Sequence, residues 1–146
     1  MNNNYALIIA QTAFHSGKAI EHEFDSSGID LNFREYVFLN FLFTGQELIQ
    51  QDLAEILKKD KSAVLRSIDV LVKKNLVTRI PHSQDRRKKK LQLTHTGTNL
   101  FKKAQTIAEK VFAQLQQGLT PEEIATFTKV ALHMQRSPKS ENFLTK

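Results

Sequence analysis

Residues 60–97 read DKSAVLRSIDVLVKKNLVTRIPHSQDRRKKKLQLTHTG, and the change of hydrophobic period inside this stretch decides the fold. Val64, Ile68, Leu71 and Val72 stand at i, i+4, i+7 and i+8, which is one apolar stripe of an α-helix, and Asp60 just ahead of them is a good N-cap residue. From Leu76 to Ile80 (LVTRI) and again from Leu91 to Thr94 (LQLT) the pattern turns alternating or β-branched. The intervening PHSQDRRKKK opens with Pro81 and is too charged to bury, so a strand, an exposed basic loop and a returning strand are expected. On the other side, Gln50 to Lys58 predicts a short helix with Leu53, Ala54 and Leu57 facing inward. Two short helices with a three- or four-residue turn between them make a helix-turn-helix.

Further out the chain is helical. Between Tyr5 and Phe24 the apolar residues Ile8, Ile9, Ala13, Ala19, Ile20 and Phe24 fall close to helical spacing, predicting a long amphipathic first helix. Asn32 can cap a second helix with Glu35 at the reciprocal capping-box position. Phe33, Val37, Phe38, Leu39, Phe41 and Leu42 leave that helix little polar face, so it is expected at the centre of the fold. Thr44 and Gly45 punctuate its end. Thr94 can cap a long helix carrying Leu100, Ala104, Ile107, Ala108, Val111 and Leu115 on one stripe, stopped by Gly118. Thr120, Pro121 and Glu123 supply N-cap, N1 proline and capping box for a last helix with Ile124, Phe127, Val130, Ala131 and Met134 on one side. From Ser137 on, the chain reads as a mobile tail.

Charge is concentrated in the same place as the period change. Lys58 to Lys90 holds twelve Lys or Arg against three acidic residues, a local net of +9, while the remainder of the chain nets −3. A cationic block set between apolar-periodic segments suits a folded surface that holds a polyanion, because each neutralised phosphate releases condensed counterions. The plainer reading is a solvated basic face.

Composition narrows the remaining classes. The 146 residues include no cysteine, which removes disulfides, thiolate metal sites and a cysteine nucleophile. The N-terminal run YALIIA is too short to span a membrane and has no basic residues ahead of it, so the expectation is a cytoplasmic, soluble protein without a membrane partner. No nucleophile elbow or glycine-rich phosphate loop is present, and an enzyme is not expected. His15 and His22, seven residues apart on one helix, are separated by about 10.5 Å along its axis, too far to share an ion. His82, His95 and His133 lie elsewhere, so neither a metal nor a cofactor is expected. The aromatic residues Phe14, Phe33, Phe38, Phe41 and Phe101 read either as core or as the wall of a pocket.

The order helix, helix, helix-turn-helix, basic hairpin, long helix, final helix resembles the MarR family of winged helix-turn-helix regulators. LIQQDLAEIL (48–57) looks like the family's first helix-turn-helix segment, and SAVLRSIDVLVKKNLVTR (62–79) is similar to its recognition helix and the start of its wing. DRRKKKLQLTHTG (85–97) matches the wing signature, an Asp-x-Arg followed by Leu-Thr-x-x-Gly. Four positions depart from the pattern. Asn75 stands where the family usually has glycine, and Asn also tolerates the left-handed conformation. Lys58 and Lys59 replace a glycine-apolar pair in the turn, and Leu65 sits where a small hydroxyl residue is common.

A recognition helix reads the major groove with the face opposite its apolar stripe, which here offers Lys61, Ser62, Ala63, Arg66, Ser67 and Val70. The guanidinium fork of Arg66 matches guanine O6 and N7; a phosphate clamp or an ion pair with Asp69 are its other readings. Asp69 is expected to orient an arginine or cap a backbone group rather than touch DNA. The resemblance implies that Arg87 enters the minor groove while Asp85 fixes the loop, with Arg86, Lys88, Lys89 and Lys90 on phosphates. Strand alternation through the tip would put Arg86, Lys88 and Lys90 on one face. Arg79, at the end of the matched recognition segment, completes the expected DNA-binding set.

The first helix and the last two carry apolar stripes too long for a winged helix of about 70 residues to cover, and a twofold partner is the simplest way to bury them. The resulting expectation is a mainly α winged helix-turn-helix with a small β-hairpin wing, dimeric through its terminal helices. Residues 1–30 and 98–137 would dimerise, 31–97 would bind DNA, and 138–146 would form the tail. Two recognition helices about one DNA turn apart predict a pseudo-palindromic duplex site. By analogy with the family, a small aromatic or phenolic effector would bind between the dimer helices and the DNA-binding lobe and relieve repression. The competing class is a nonspecific or architectural nucleic-acid-binding winged helix, which shares the charge but not the specificity.

Overall fold

Local capping chemistry sets most of the helix ends. In the computed structural model, which describes residues 4–44, 48–56 and 60–136, the order is α1 (Tyr5–Ser26), α2 (Phe33–Phe43), α3 (Gln50–Ile56), α4 (Lys61–Lys73), β1 (Val77–Pro81), β2 (Lys89–Leu93), α5 (His95–Leu115) and α6 (Pro121–Gln135). Asn32 and Glu35 form the expected capping box on α2, and Thr120 and Glu123 form the one on α6. Asp60 accepts from the Ala63 N–H at 3.3 Å to open α4. Thr94 caps α5 by accepting from the Gly97 N–H at 2.9 Å. Gly45, Leu57, Lys58, Lys59 and the expected tail 138–146 lie outside the described residues.

The exit from α4 explains where the hairpin begins. Asn75 adopts φ 58°, the left-handed conformation its identity suggested. The Asn75 N–H donates to the Val72 carbonyl and the Leu76 N–H to the Leu71 carbonyl, both at 2.9 Å, so the Leu76 N–H belongs to the helix closure while its carbonyl already accepts from the Thr94 N–H at 3.0 Å, and the regular ladder starts at Val77. The strands pair antiparallel with Val77 opposite Leu93 and Pro81 opposite Lys89. Pro81 has no N–H to give, and the next donor, His82, reaches the Lys88 carbonyl at 3.0 Å. The hairpin also gains a partner absent from the sequence reading. Leu91 N–H donates to the Leu48 carbonyl at 2.9 Å, and Ile49 bridges Lys90, so the segment entering α3 pairs with the free edge of β2.

The chain divides into two compact units, Met1–Val111 and Phe112–Lys146, the boundary falling within α5. In the first unit the core joins Ile20 and Phe24 of α1, Phe38 and Leu39 of α2, Leu53 of α3, and Val64, Ile68 and Leu71 of α4. Phe101 and Ala104 of α5 complete it, all essentially inaccessible. Each of these side chains other than Ala104 contributes about 1.5–3 kcal/mol by leaving water. Tyr36 is sandwiched between Phe24, edge-on at 5.6 Å, and Phe101, stacked at 5.4 Å. Burial raises the Tyr36 phenol above its ordinary value, and the negative charge of Glu109 adds to this. The second helix is central, as expected, but its core includes one carboxylate. Glu35, 7% exposed, accepts from the Asn32 N–H and from Lys74 Nζ, both at 3.0 Å.

Gly97 is required by close approach. A Cβ there would lie 1.9 Å from the Leu76 carbonyl oxygen, so the glycine of the Leu-Thr-x-x-Gly sequence lets α5 start against the end of α4. The α5 stripe is buried through Val111, while Phe112 and Leu115 beyond it are exposed. In α6 no residue is buried; Phe127, Val130 and Met134, at i, i+3 and i+7, are each more than half exposed. On α1 the expected apolar stripe is buried only in its second half, leaving Tyr5, Leu7, Ile8, Ile9 and Phe14 exposed.

Candidate nucleic-acid interface

Because Val64, Ile68 and Leu71 lock one side of α4 into the core, the opposite side is fixed as its outer face. That face presents Lys61, Ser62, Leu65, Arg66, Asp69 and Val70, all exposed. Ala63 and Ser67 are half-buried at its margin, and the Ser67 hydroxyl donates to the Ala63 carbonyl at 3.1 Å, leaving its lone pairs as acceptors. Leu65 and Val70, 43% and 44% exposed, give the face an apolar component suited to a thymine methyl group.

Among the arginines the structure separates those that hold the fold from those left at the surface. Arg79, on β1, donates from Nε to Gln50 Oε1 of α3 at 2.7 Å and from its terminal nitrogen to Asp69 of α4. One guanidinium thereby ties together both helices of the helix-turn-helix and the first strand of the wing. Asp69 orients an arginine, as the charge argument required, and that arginine is Arg79 rather than Arg66. Arg66 has no ion pair among the described residues. Gln50, which the sequence reading did not single out, is recognisable only once the strand is folded back beside α3.

The wing tip is organised by Asp85. Its carboxylate accepts from the Arg87 N–H at 3.0 Å and stands 3.4 Å from Arg87 Nε, while its carbonyl accepts from the Lys88 N–H at 3.0 Å. Arg86 and Arg87 therefore sit in a turn, and strand alternation begins only at Lys89. The expectation that Arg86, Lys88 and Lys90 share one strand face is corrected accordingly, since the tight turn interrupts the pleat. Arg87 keeps 94% of its side-chain surface exposed despite its contact with Asp85.

Lys74, the C-cap of α4, donates to the Asp30 carbonyl at 3.1 Å, the Asp30 carboxylate at 3.2 Å and Glu35 at 3.0 Å. Burial works against its charge, but these hydrogen bonds outweigh that cost and raise the ammonium above the usual lysine value. The clip fixes the end of α4 to the start of α2. On the other flank, Glu21 of α1 is held below the usual carboxylate range by Lys18 at 2.7 Å and by the Phe33 N–H at 2.9 Å. Between α1 and α2 runs an open groove of about 340 Å³ walled by Phe14, Phe33, Val37 and Phe38, with Lys18 and Arg34 beside them. The aromatic set thus divides, with Phe14 and Phe33 on the groove, Phe38 shared, Phe41 half-buried against the core and Phe101 within it. No group of three or more His, Asp or Glu side chains converges among the described residues, and none of their helices is long and apolar enough to cross a membrane.

A helix-turn-helix braced by Arg79, followed by a two-stranded wing with an arginine-bearing tip, defines the class: a winged helix-turn-helix. Residues 29–88 of the chain match the MarR family model. It is 28% identical over 108 residues to the uncharacterized HTH-type transcriptional regulator YybA of Bacillus subtilis, covering 74% of this chain and 71% of that protein. Two solved structures share the fold. A mutant MarR from E. coli complexed with operator DNA matches with a TM-score of 0.77 at 21% identity, over 88% of this chain and 91% of that one. The S. aureus MepR–DNA complex matches with a TM-score of 0.76 at 22% identity, over 92% and 98%.

Proposed function

We propose that this chain is a sequence-specific, double-stranded-DNA-binding transcriptional regulator, acting as a homodimer through residues 1–30 and 98–137 with residues 31–97 as the DNA-binding part. The observation that carries the reading is the outer face of α4, where Lys61, Ser62 and Arg66 stand exposed on a helix whose other side is locked in the core. A rigid helix with an exposed cationic and hydroxylic face fits the major groove, which admits one α-helix. Arg66 reads a guanine edge, Lys61, Ser62, Ala63 and Ser67 line the groove, and Leu65 meets a methyl group. Arg87 enters the minor groove from a tip kept in shape by Asp85, and Arg86, Lys88, Lys89 and Lys90 face phosphates. Arg79 acts at one remove, by holding α3, α4 and β1 in register.

The proposed mode of action is repression by promoter occupancy, with a small aromatic effector in the α1–α2 groove shifting the spacing between the two reading helices. YybA is named an HTH-type transcriptional regulator, and the MarR and MepR structures hold DNA, which supports the reading by kinship. The discriminating experiment compares affinity for a selected duplex with affinity for a scrambled one at physiological salt. A ratio of about 10³ or more is expected for a regulator. Equal affinity would identify a nonspecific, architectural winged helix instead.

A further inference from the structure

We infer that Arg34, on the first turn of α2, is a DNA phosphate contact outside the helix-turn-helix and the wing, flanking the reading face of α4. The inference rests on the DNA-binding reading above and adds to it a residue that the charge block at 58–90 does not include. Three observations carry it.

The first is position. Arg34 shares a cleft of about 110 Å³ with Ser67 and Val70 of α4. Those two residues lie on or beside the outer face of that helix, so Arg34 stands at the edge of whatever α4 enters. A helix with its side chains is about 10–12 Å across and fills a major groove about 12 Å wide, so groups at its flank meet the sugar–phosphate strand and not base edges.

The second is an available charge. Arg34 is exposed and forms no ion pair among the described residues. The two carboxylates that line clefts with it are engaged elsewhere, Glu35 by the Asn32 N–H and Lys74, and Glu21 by Lys18 and the Phe33 N–H. Neither is left to neutralise the guanidinium.

The third is a broken local rule. A cation in the first turn of a helix opposes the helix dipole, where acidic residues are favoured. Three N–H groups at this helix start are already bonded, at Asn32, Phe33 and Glu35, so an incoming phosphate would be held by the Arg34 side chain and not by the backbone. An unfavourable placement of this kind is expected where function requires it.

The test is a salt titration of duplex binding by the full chain, using a duplex selected from a random library, with Arg87→Ala as the reference variant. Arg34→Ala should make the slope of log K against log salt shallower by about 0.9 per half-site. Base preference should stay unchanged, and the melting temperature should not fall. Arg34→Lys should restore the slope, since a point charge suffices for a single phosphate. Arg34→Glu should weaken binding further than Arg34→Ala. An unaltered slope in Arg34→Ala, with a shallower one in Arg87→Ala, overturns the inference and leaves the DNA-binding reading standing. A lower melting temperature with no change of slope would also overturn it, by assigning Arg34 to the fold alone. Failure of the unaltered chain to bind any duplex overturns both.

Discussion

Helices α4 and α6 are of similar length, 13 and 15 residues, and both carry an apolar stripe, yet only α4 has it covered. Val64, Ile68 and Leu71 are each 1% exposed, whereas Phe127, the largest apolar residue of α6, is 64% exposed. Within one copy of the chain α4 is complete, so its outer face is free to be polar and cationic. The face of α6 is unfinished and demands another surface, because contiguous exposed apolar side chains are costly in water. One helix thus has its apolar side satisfied within the described chain, and the other leaves it exposed.

The largest effect should come from attacking the unfinished side. Phe127→Asp combined with Val130→Asp is expected to yield a monomer by sedimentation and to lower duplex affinity by about 10²–10⁴-fold, through loss of the second, linked binding event. An unchanged sedimentation coefficient would break the comparison by showing that α6 is not an interface. On the finished side, Gly97→Ala forces a Cβ against the Leu76 carbonyl and should destabilise by about 1–3 kcal/mol. In a thermal melt that is a drop of several degrees.

A smaller and more local loss is expected at the reading face. Arg66→Ala should cost about 1–3 kcal/mol at one base position, measured by competition with single-base duplex variants, whereas Arg87→Ala should weaken most sequences alike. An Arg66→Ala variant with unchanged base preference would contradict its assignment.

The smallest effect concerns the clip that fixes the end of α4. Lys74 has a folded-state pKa above its ordinary value, so its contribution is fully present below about pH 10.4 and is lost as pH rises through the folded value. Tyr36 acts in the same direction, since a phenol kept protonated by burial loses stability once the unfolded chain ionises above about pH 10. Stability measured by denaturant titration should therefore fall on the alkaline side. Tyr36→Phe should remove part of that fall and Glu35→Gln another part. A flat profile from pH 9 to 11 would show that the clip adds nothing.

What was legible in the sequence is what local chemistry controls. Asn32 with Glu35, Thr120 with Glu123, Thr94 ahead of Gly97, and Asn75 in its left-handed conformation all act within a few residues of themselves, and each stands where the pattern placed it. The α4 stripe is likewise a matter of spacing. Arg79 with Gln50 and Lys74 with Glu35 are 29 and 39 residues apart, and the pairing of Leu91 with Leu48 spans more than forty, so no local pattern announces them. The basic block is visible as a count, but the separation of the bracing Arg79 and Lys74 from its surface cations depends on which carboxylates folding brings near. Arg34 escaped notice for the same reason, being a single charge distant in sequence from the block.

The most direct test of the account is selection of bound duplexes from a random library by the full chain. Two cationic reading units held by their terminal helices predict enrichment of a pseudo-palindrome with half-sites about 10–10.5 base pairs apart, centre to centre. Recovery of single, asymmetric sites, or no enrichment over the starting pool, would contradict it.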